Sequence, residues 1–303
     1  MKTYLIIDTK LVAYYLFHRH QDIFGSMNLI ADLASKNLPK NKFGNIIPIF
    51  VMDKGQSRRV KIFKDYKAHR KDLIKKQGEA YVKKQKQFEK NYQKMEKLYR
   101  IYGKTLNIQG LEADDLASII ASFSKVDKIV FGTSDSDWVK FMIDDRFSML
   151  HINRQKLIPF SSLAVEFDVP NPTYKLFKDV FCGVKKENVS GLKRLGEKTF
   201  KKLVNKAGLE LDNLKEEVNE LLSKGKIFLP DDVNNLDELV DRNLTLFTPM
   251  SVDDMLEEEK QEFKKQWQMP SSKNVNEILD FTAKNFDNIH LPSSLEKKFF
   301  NLA

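Results

Sequence analysis

The sequence predicts an α/β protein organised around a mostly parallel sheet, and three observations carry that expectation. Short apolar runs, TYLIID, NIIPIFVMD and KIVFGTSDSD, each end in aspartate. Long stretches of helical periodicity separate them, the alternation that places parallel strands in one buried sheet. The composition, 42% hydrophobic and 31% charged over 303 residues, is that of a globular chain able to bury a large core.

Taken in order, Thr3–Asp8 reads as the first strand, Lys10–His18 and Ile23–Ser35 as helices, and Asn45–Asp53 as the second strand. Val82–Tyr99 repeats apolar residues at helical spacing in a lysine-rich context. Ala113–Ser124 is an amphipathic helix whose preceding acids suit its N-terminus. Lys128–Asp137 supplies the third strand, and Ser148–Phe160 reads as a hairpin at the sheet edge. Pro170 and Pro172 punctuate the chain, giving a core over residues 1–160 and a helical lobe over 161–303. In the lobe Thr199–Ala207 is helical, while the tail from Ser271 carries little pattern. No apolar run reaches membrane-spanning length, and the first, interrupted by Asp8 and Lys10, is not a signal peptide. A single cysteine, Cys182, forms no internal disulfide and fits a reducing, cytoplasmic setting. His18, His20, His69, His151 and His290 show no metal-ligand spacing.

The net charge of +9 is a sum of unlike parts. Residues Lys54 to Lys104 carry 18 Lys and Arg against 5 Asp and Glu, and Lys185 to Lys206 carry 8 against 2. Asp231 to Glu262 carries 2 against 11 and reads as a solvated face. Two separate basic segments favour a nucleic-acid partner.

Asp8, Asp53, Asp135 and Asp137 close the strand runs, and Glu112, Asp114 and Asp115 open the amphipathic helix. Each has an ordinary explanation as a turn or cap residue. Together they fall at the carboxyl edge of the sheet, where open α/β folds bind ligands. Clustered acids repel unless cations neutralise them, and hard oxygen donors select Mg²⁺ or Mn²⁺. Two such ions about 4 Å apart form the usual clamp for phosphodiester cleavage.

LIID, FVMDKG, SRRVKIFKDYKAHR, GLEADD, GTSDSDW and CGVKKENVSGLKRLGEKTFKKL follow one another between residue 3 and about residue 206. In that order they resemble the 5′→3′ exonuclease and flap endonuclease family, of the phage type and similar to the 5′-nuclease domain of bacterial DNA polymerase I. DRNLTLF, Asp241 to Phe247, echoes a later and weaker element of the same family. The resemblance implies a PIN-like, Rossmann-like nuclease core. It also implies a helical arch at about residues 60–104 and a helix–hairpin–helix variant at about 183–206. It implies metal ligation by Asp8, Asp53, Glu112 and Asp114 with Asp115 nearby, and a second ion at Asp135 and Asp137 helped by Glu187. Arg59, Lys67 and Arg70 are spaced for one helix face. By the same resemblance Lys67 and Arg70 contact the scissile phosphate, and Tyr66 stacks on a base. Lys71, Lys75, Lys76, Lys83 and Lys84 line the arch around a 5′ single strand. Gly191 and Gly196 permit the tight turn that binds duplex phosphate, where a K⁺ ion is implied, with Lys193, Arg194, Lys198, Lys201 and Lys202 around it.

Two departures qualify the resemblance. Where the family has GDxxDN this chain has Gly183-Val184-Lys185-Lys186-Glu187-Asn188, and Tyr15 stands where an Arg is usual. Val184 cannot ligate a metal, and Lys185 and Lys186 screen the site further. A weak second ion is therefore expected, with a need for high Mg²⁺ or a preference for Mn²⁺. The expected function is a monomeric, metal-dependent, structure-specific 5′ nuclease of replication or repair, acting on 5′ flaps of DNA or on RNA–DNA hybrids. The alternative is a catalytically weakened or inactive branched-DNA-binding replisome protein, which Val184 favours.

Overall fold

The computed structural model describes residues 1–271. In chain order the elements are β1 (Lys2–Asp8), α1 (Thr9–His18), α2 (Ser26–Asn37), α3 (Lys40–Phe43), β2 (Asn45–Val51), α4 (Arg59–Ile62), α5 (Arg70–Lys76) and α6 (Glu79–Tyr102). Next come β3 (Lys104–Leu106), α7 (Ala113–Phe123), β4 (Lys128–Thr133), β5 (Phe147–His151), β6 (Lys156–Pro159), α8 (Leu163–Phe167) and α9 (Pro172–Cys182). The chain then runs through β7 (Gly183–Val184), β8 (Val189–Ser190), α10 (Glu197–Ala207), α11 (Leu211–Ser223), α12 (Leu236–Phe247) and α13 (Glu257–Gln268).

The main sheet has the order β3-β2-β1-β4-β5-β6. All its neighbours are parallel except β5 and β6, which form the expected antiparallel hairpin at the edge. The chain leaves β1 in one direction for β2 and β3, then crosses to the other side for β4. β1 and β4 therefore flank the point where strand order reverses, the usual place for a ligand crevice.

Both faces of the sheet are buried, which explains the continuous apolar runs. Along β1, Tyr4 and Ile6 enter one core while Leu5 and Ile7 enter the other. The first core includes the inner face of α7 and reaches into α9, α10, α11 and α12. The second lies under α1, α2 and α6. In α6, Phe88, Tyr92, Met95, Tyr99 and Tyr102 recur at helical spacing and are buried, whereas the preceding turns expose Lys83, Lys84, Lys86 and Lys90. Tyr92 fixes the register, because its hydroxyl meets the Thr9 hydroxyl at 2.6 Å beneath α1.

Three expectations need correction. Lys128–Asp137 is not one strand: β4 ends at Thr133, because Asp135 accepts from the backbone N–H of Asp137 at 3.1 Å and caps a 3₁₀ turn over Ser136–Phe141. Ile23–Ser35 divides into a 3₁₀ turn at Ile23–Gly25 and α2. Arg59, Lys67 and Arg70 do not share a helix face. α4 is one turn long, Lys67 has a left-handed backbone (φ 57°), and α5 begins only at Arg70. Lys67 is held in that conformation by its own N–H, which donates to the Glu187 carbonyl at 2.8 Å. The tail expectation, and the end of the 161–303 lobe, lie outside the described residues.

Candidate active site

The carboxylates reach their places through ordinary local structure. Asp8 ends β1 and caps α1, accepting from the Leu11 N–H at 3.1 Å and from the Thr133 hydroxyl at 3.1 Å across the strand gap. Asp53 lies two residues beyond β2 and accepts from the Ala113 N–H at 2.9 Å, so the N-terminus of α7 points at it. Glu112 and Asp115 form a reciprocal capping box at that helix start, with the Glu112 N–H donating to Asp115 at 2.9 Å. Asp8, Asp53, Glu112, Asp114, Asp135, Asp137 and Glu187 then line one cleft of about 450 Å³. Lys67, Arg70 and Tyr66 line it too, as do Lys10 and Tyr14 from α1 and an apolar wall of Trp138, Phe141, Phe247 and Met250.

Built-in cations divide these acids into unlike groups. Arg59 is buried and bonds Glu112, Asp114 and Asp115 together. Burial opposes ionisation of Asp114, but Arg59 and Lys67 outweigh it and hold the carboxyl below its usual range. Arg59 is therefore an internal counter-ion with no free edge for a phosphate. Tyr66 is 6% exposed and its hydroxyl donates to Glu112 at 3.0 Å, so its ring offers no face for base stacking in this conformation. Lys67 donates to Glu112 at 2.7 Å and lies 3.4 Å from Glu187. Arg70 bonds Glu187 at 3.0 Å while remaining half exposed to the cleft. Glu187 thus faces the base of the α5–α6 pair rather than Asp135 and Asp137.

Asp135 and Asp137 are held by lysines. Lys186 donates to Asp135 at 2.7 Å and lies 2.8 Å from Asp137. Lys175, 5% exposed, donates to Asp137 at 2.8 Å and to Asp179 at 2.6 Å. Burial raises the Asp137 carboxyl, but Lys175, Lys140 and Lys186 outweigh it and hold it well below the usual range. Sequence reasoning missed Lys175, Lys140 and Asp179. The readable signal was Lys175 and Asp179 four residues apart on the inner face of α9.

Asp8 and Asp53 have no such compensation: among the described residues no Lys or Arg forms an ion pair with either. Burial, reinforced by Asp53 and Asp135, pushes the Asp8 carboxyl up to about 7. That unneutralised oxygen pair fits a hard divalent cation. Among the described residues no three His, Cys, Asp or Glu side chains already converge as a complete ligand set.

The arch and hairpin residues are placed as follows. Lys75 and Lys76 are exposed on α5, Lys83 and Lys84 on the start of α6, and Lys71 lies in the first turn of α5. β7 and β8 pair as a short antiparallel ladder around residues 185–188, and the loop carrying Gly191 and Gly196 leads from it into α10. Gly191 is required by packing, since a Cβ there would lie 2.1 Å from the Cys182 carbonyl carbon. Gly196 caps α10 in open space. Lys198 and Lys202 are exposed, whereas Lys193 pairs with Asp231 and Lys201 with Asp168. Arg194 lies over the Phe228 ring. In the acidic segment, α12 and α13 bury Leu239, Val240 and Phe263, and Glu259 pairs with Arg58. α12 also holds the hairpin: Asn243 donates to the Val180 and Ser190 carbonyls at 2.7 and 3.1 Å.

A parallel sheet that gathers acids at its carboxyl edge, with a helical pair above them, defines a resolvase-like, PIN-type α/β fold. Residues 3–167 match the family described as 5′-3′ exonuclease, N-terminal resolvase-like domain, and the chain belongs to that family. Among solved structures it is similar to a flap endonuclease of bacteriophage T5, in a pseudo-enzyme–product complex with DNA and metal ions. The two are 16% identical, with a TM-score of 0.64, over 93% of this chain and 97% of that one. It is also similar to the T5 5′-exonuclease with bound zinc ions, at 17% identity and a TM-score of 0.61, over 99% and 98% of the two chains. At these identities the likeness shows the fold. No curated protein matches the chain by sequence. Among the described residues no helix is long and apolar enough to cross a membrane.

Proposed function

We propose that the protein is a divalent-metal-dependent, structure-specific 5′ nuclease that hydrolyses phosphodiesters of branched or 5′-flapped DNA, leaving 5′-phosphates. The observation that carries this reading is the uncompensated Asp8–Asp53 pair, set in an acidic cleft beneath a lysine-rich helical pair. A polyanion approaches a strongly acidic site only if basic segments hold its backbone on either side. The α5–α6 lysines and the β7–β8–α10 hairpin are those segments.

A hard divalent cation, Mg²⁺ or Mn²⁺, held by Asp8 and Asp53 with Glu112 and Asp114 close by, supplies Lewis-acid polarisation of the phosphodiester. The chain's own groups do the rest. Lys67 and Arg70 sit at the mouth of the cleft, where a phosphate exchanges their contacts to Glu112 and Glu187 for its own oxygens. Arg59 stays behind them and keeps the start of α7 neutral enough to fold. A 5′ strand passes along the exposed lysines of α5 and α6, and duplex phosphate lies on the start of α10.

A labelled 5′-flap substrate tests the reading. Cleavage is expected with Mg²⁺ and none with chelator. Asp114→Ala is expected to lose cleavage by about a hundredfold or more while DNA binding persists. Undiminished cleavage by that variant overturns it. The alternative, a branched-DNA-binding protein without catalysis, is favoured by the lysines on Asp135 and Asp137. It predicts binding of the same flap with no cleavage in either ion.

A further inference from the structure

The acidic cleft is asymmetric in a way that a two-cation site is not. On the Asp8–Asp53 side the carboxylates have no positive partner. On the other side Asp135, Asp137 and Asp179 meet Lys186, Lys175 and Lys140: 2.7 Å from Lys186 to Asp135, 2.8 Å from Lys175 to Asp137, and 3.3 Å from Lys140 to Asp179. Three carboxylates face three ammonium groups, and the charge there is already balanced.

We propose that the Lys186 ammonium group, braced by Lys175, stands in the place of the second divalent cation, so that the protein takes a single divalent ion, on the Asp8–Asp53 side. This rests on the nuclease reading for its consequence in catalysis, though not for its geometry. Two further observations support it. Lys175 is 5% exposed and shared between Asp137 and Asp179, so a metal arriving at Asp137 would set a divalent charge against a buried ammonium group that stays bound to Asp179. Val184, two residues before Lys186, packs an apolar side chain against the core and adds no carboxylate to the Asp135–Asp137 group.

The inference differs from a merely weak second site. A weak site fills when Mg²⁺ or Mn²⁺ is raised, whereas a site already holding an ammonium group has no net charge to attract the ion. In this arrangement the Lys186 ammonium group lies 2.7 to 2.8 Å from Asp135 and Asp137 before substrate arrives.

The test counts ions on the intact protein without DNA, by calorimetric titration with Mn²⁺ and by electron paramagnetic resonance of the bound ions. The wild type is expected to bind one Mn²⁺ with the signal of an isolated ion. Lys186→Asp, which removes the ammonium group and adds a carboxylate, is expected to bind two, with the broadened signal of a coupled pair. A wild type that binds two ions overturns the proposal, and so does a folded Lys186→Asp protein that still binds one. Should the variant fail to fold, the wild-type count decides alone. Flap cleavage is measured in parallel. One ion without cleavage removes the nuclease reading and leaves this inference standing, while two ions with cleavage does the reverse.

Discussion

Asp8 is both a structural cap and a buried carboxyl without a cationic partner among the described residues. Its ordinary carboxyl value of 3.8 is raised to about 7 by burial and by Asp53 and Asp135. Between about pH 4 and pH 7 the folded protein therefore holds a proton that the unfolded chain has released. The Asp8 contribution to stability falls as pH rises through that window, by up to about 4 kcal/mol. In chelator, Asp8→Asn is expected to be more stable than wild type at pH 8 and nearly equal to it at pH 4, as read from urea midpoints. A divalent ion is expected to stabilise wild type at pH 8 and to do little for the variant. Arg59, Lys67 and Lys186 show how little a residue type reveals of its task. Two basic residues of one segment, Arg59 and Arg70, end respectively as a buried counter-ion and as a group open to the cleft.

At the level of elements, the strands, the start of α7 and the body of α10 were legible, because each is written in local chemistry. Apolar runs ending in aspartate are strands that stop at a polar edge, and EADD before an apolar run is a helix start. The segment from Arg59 to Arg70 was not legible as folded. Its spacing suits a helix, but a tertiary bond from Lys67 to the Glu187 carbonyl sets a left-handed residue in the middle. The hairpin makes a sharper prediction. Gly183 has φ 71°, and the backbone of Gly191 passes so close to Cys182 and Gly183 that no side chain fits. Gly191→Ala is expected to cost on the order of 2–4 kcal/mol of stability and to loosen the turn. Thermal unfolding measures the first effect, and hydrogen exchange at the Val189 and Leu192 amides measures the second. Gly196→Ala meets open space and is expected to leave stability within about 1 kcal/mol.

For the molecule as a whole, the layout of charge matters more than its net value. The exposed lysines of α5, α6 and α10 stand away from a cleft whose acids are partly satisfied from within. Binding of flap DNA is expected to weaken steeply with salt. Lys83→Ala with Lys84→Ala is expected to reduce the slope of log affinity against log salt by about 1 to 2, without altering the ion count. An unchanged slope would place the strand elsewhere. The acidic segment is part of the same layout. α12 and α13 use their apolar faces to close the core over α7 and α9, and Asp231 draws Lys193 toward itself. The sequence by itself determined the parallel sheet, the acids at its carboxyl edge and the basic segments, because period, spacing and composition are local properties. Only the tertiary structure decided which acids are free and which are already paired. Pairing depends on residues distant in sequence, Lys175 with Asp137 or Arg59 with Asp115, meeting in one buried volume where an uncompensated charge is too costly to leave.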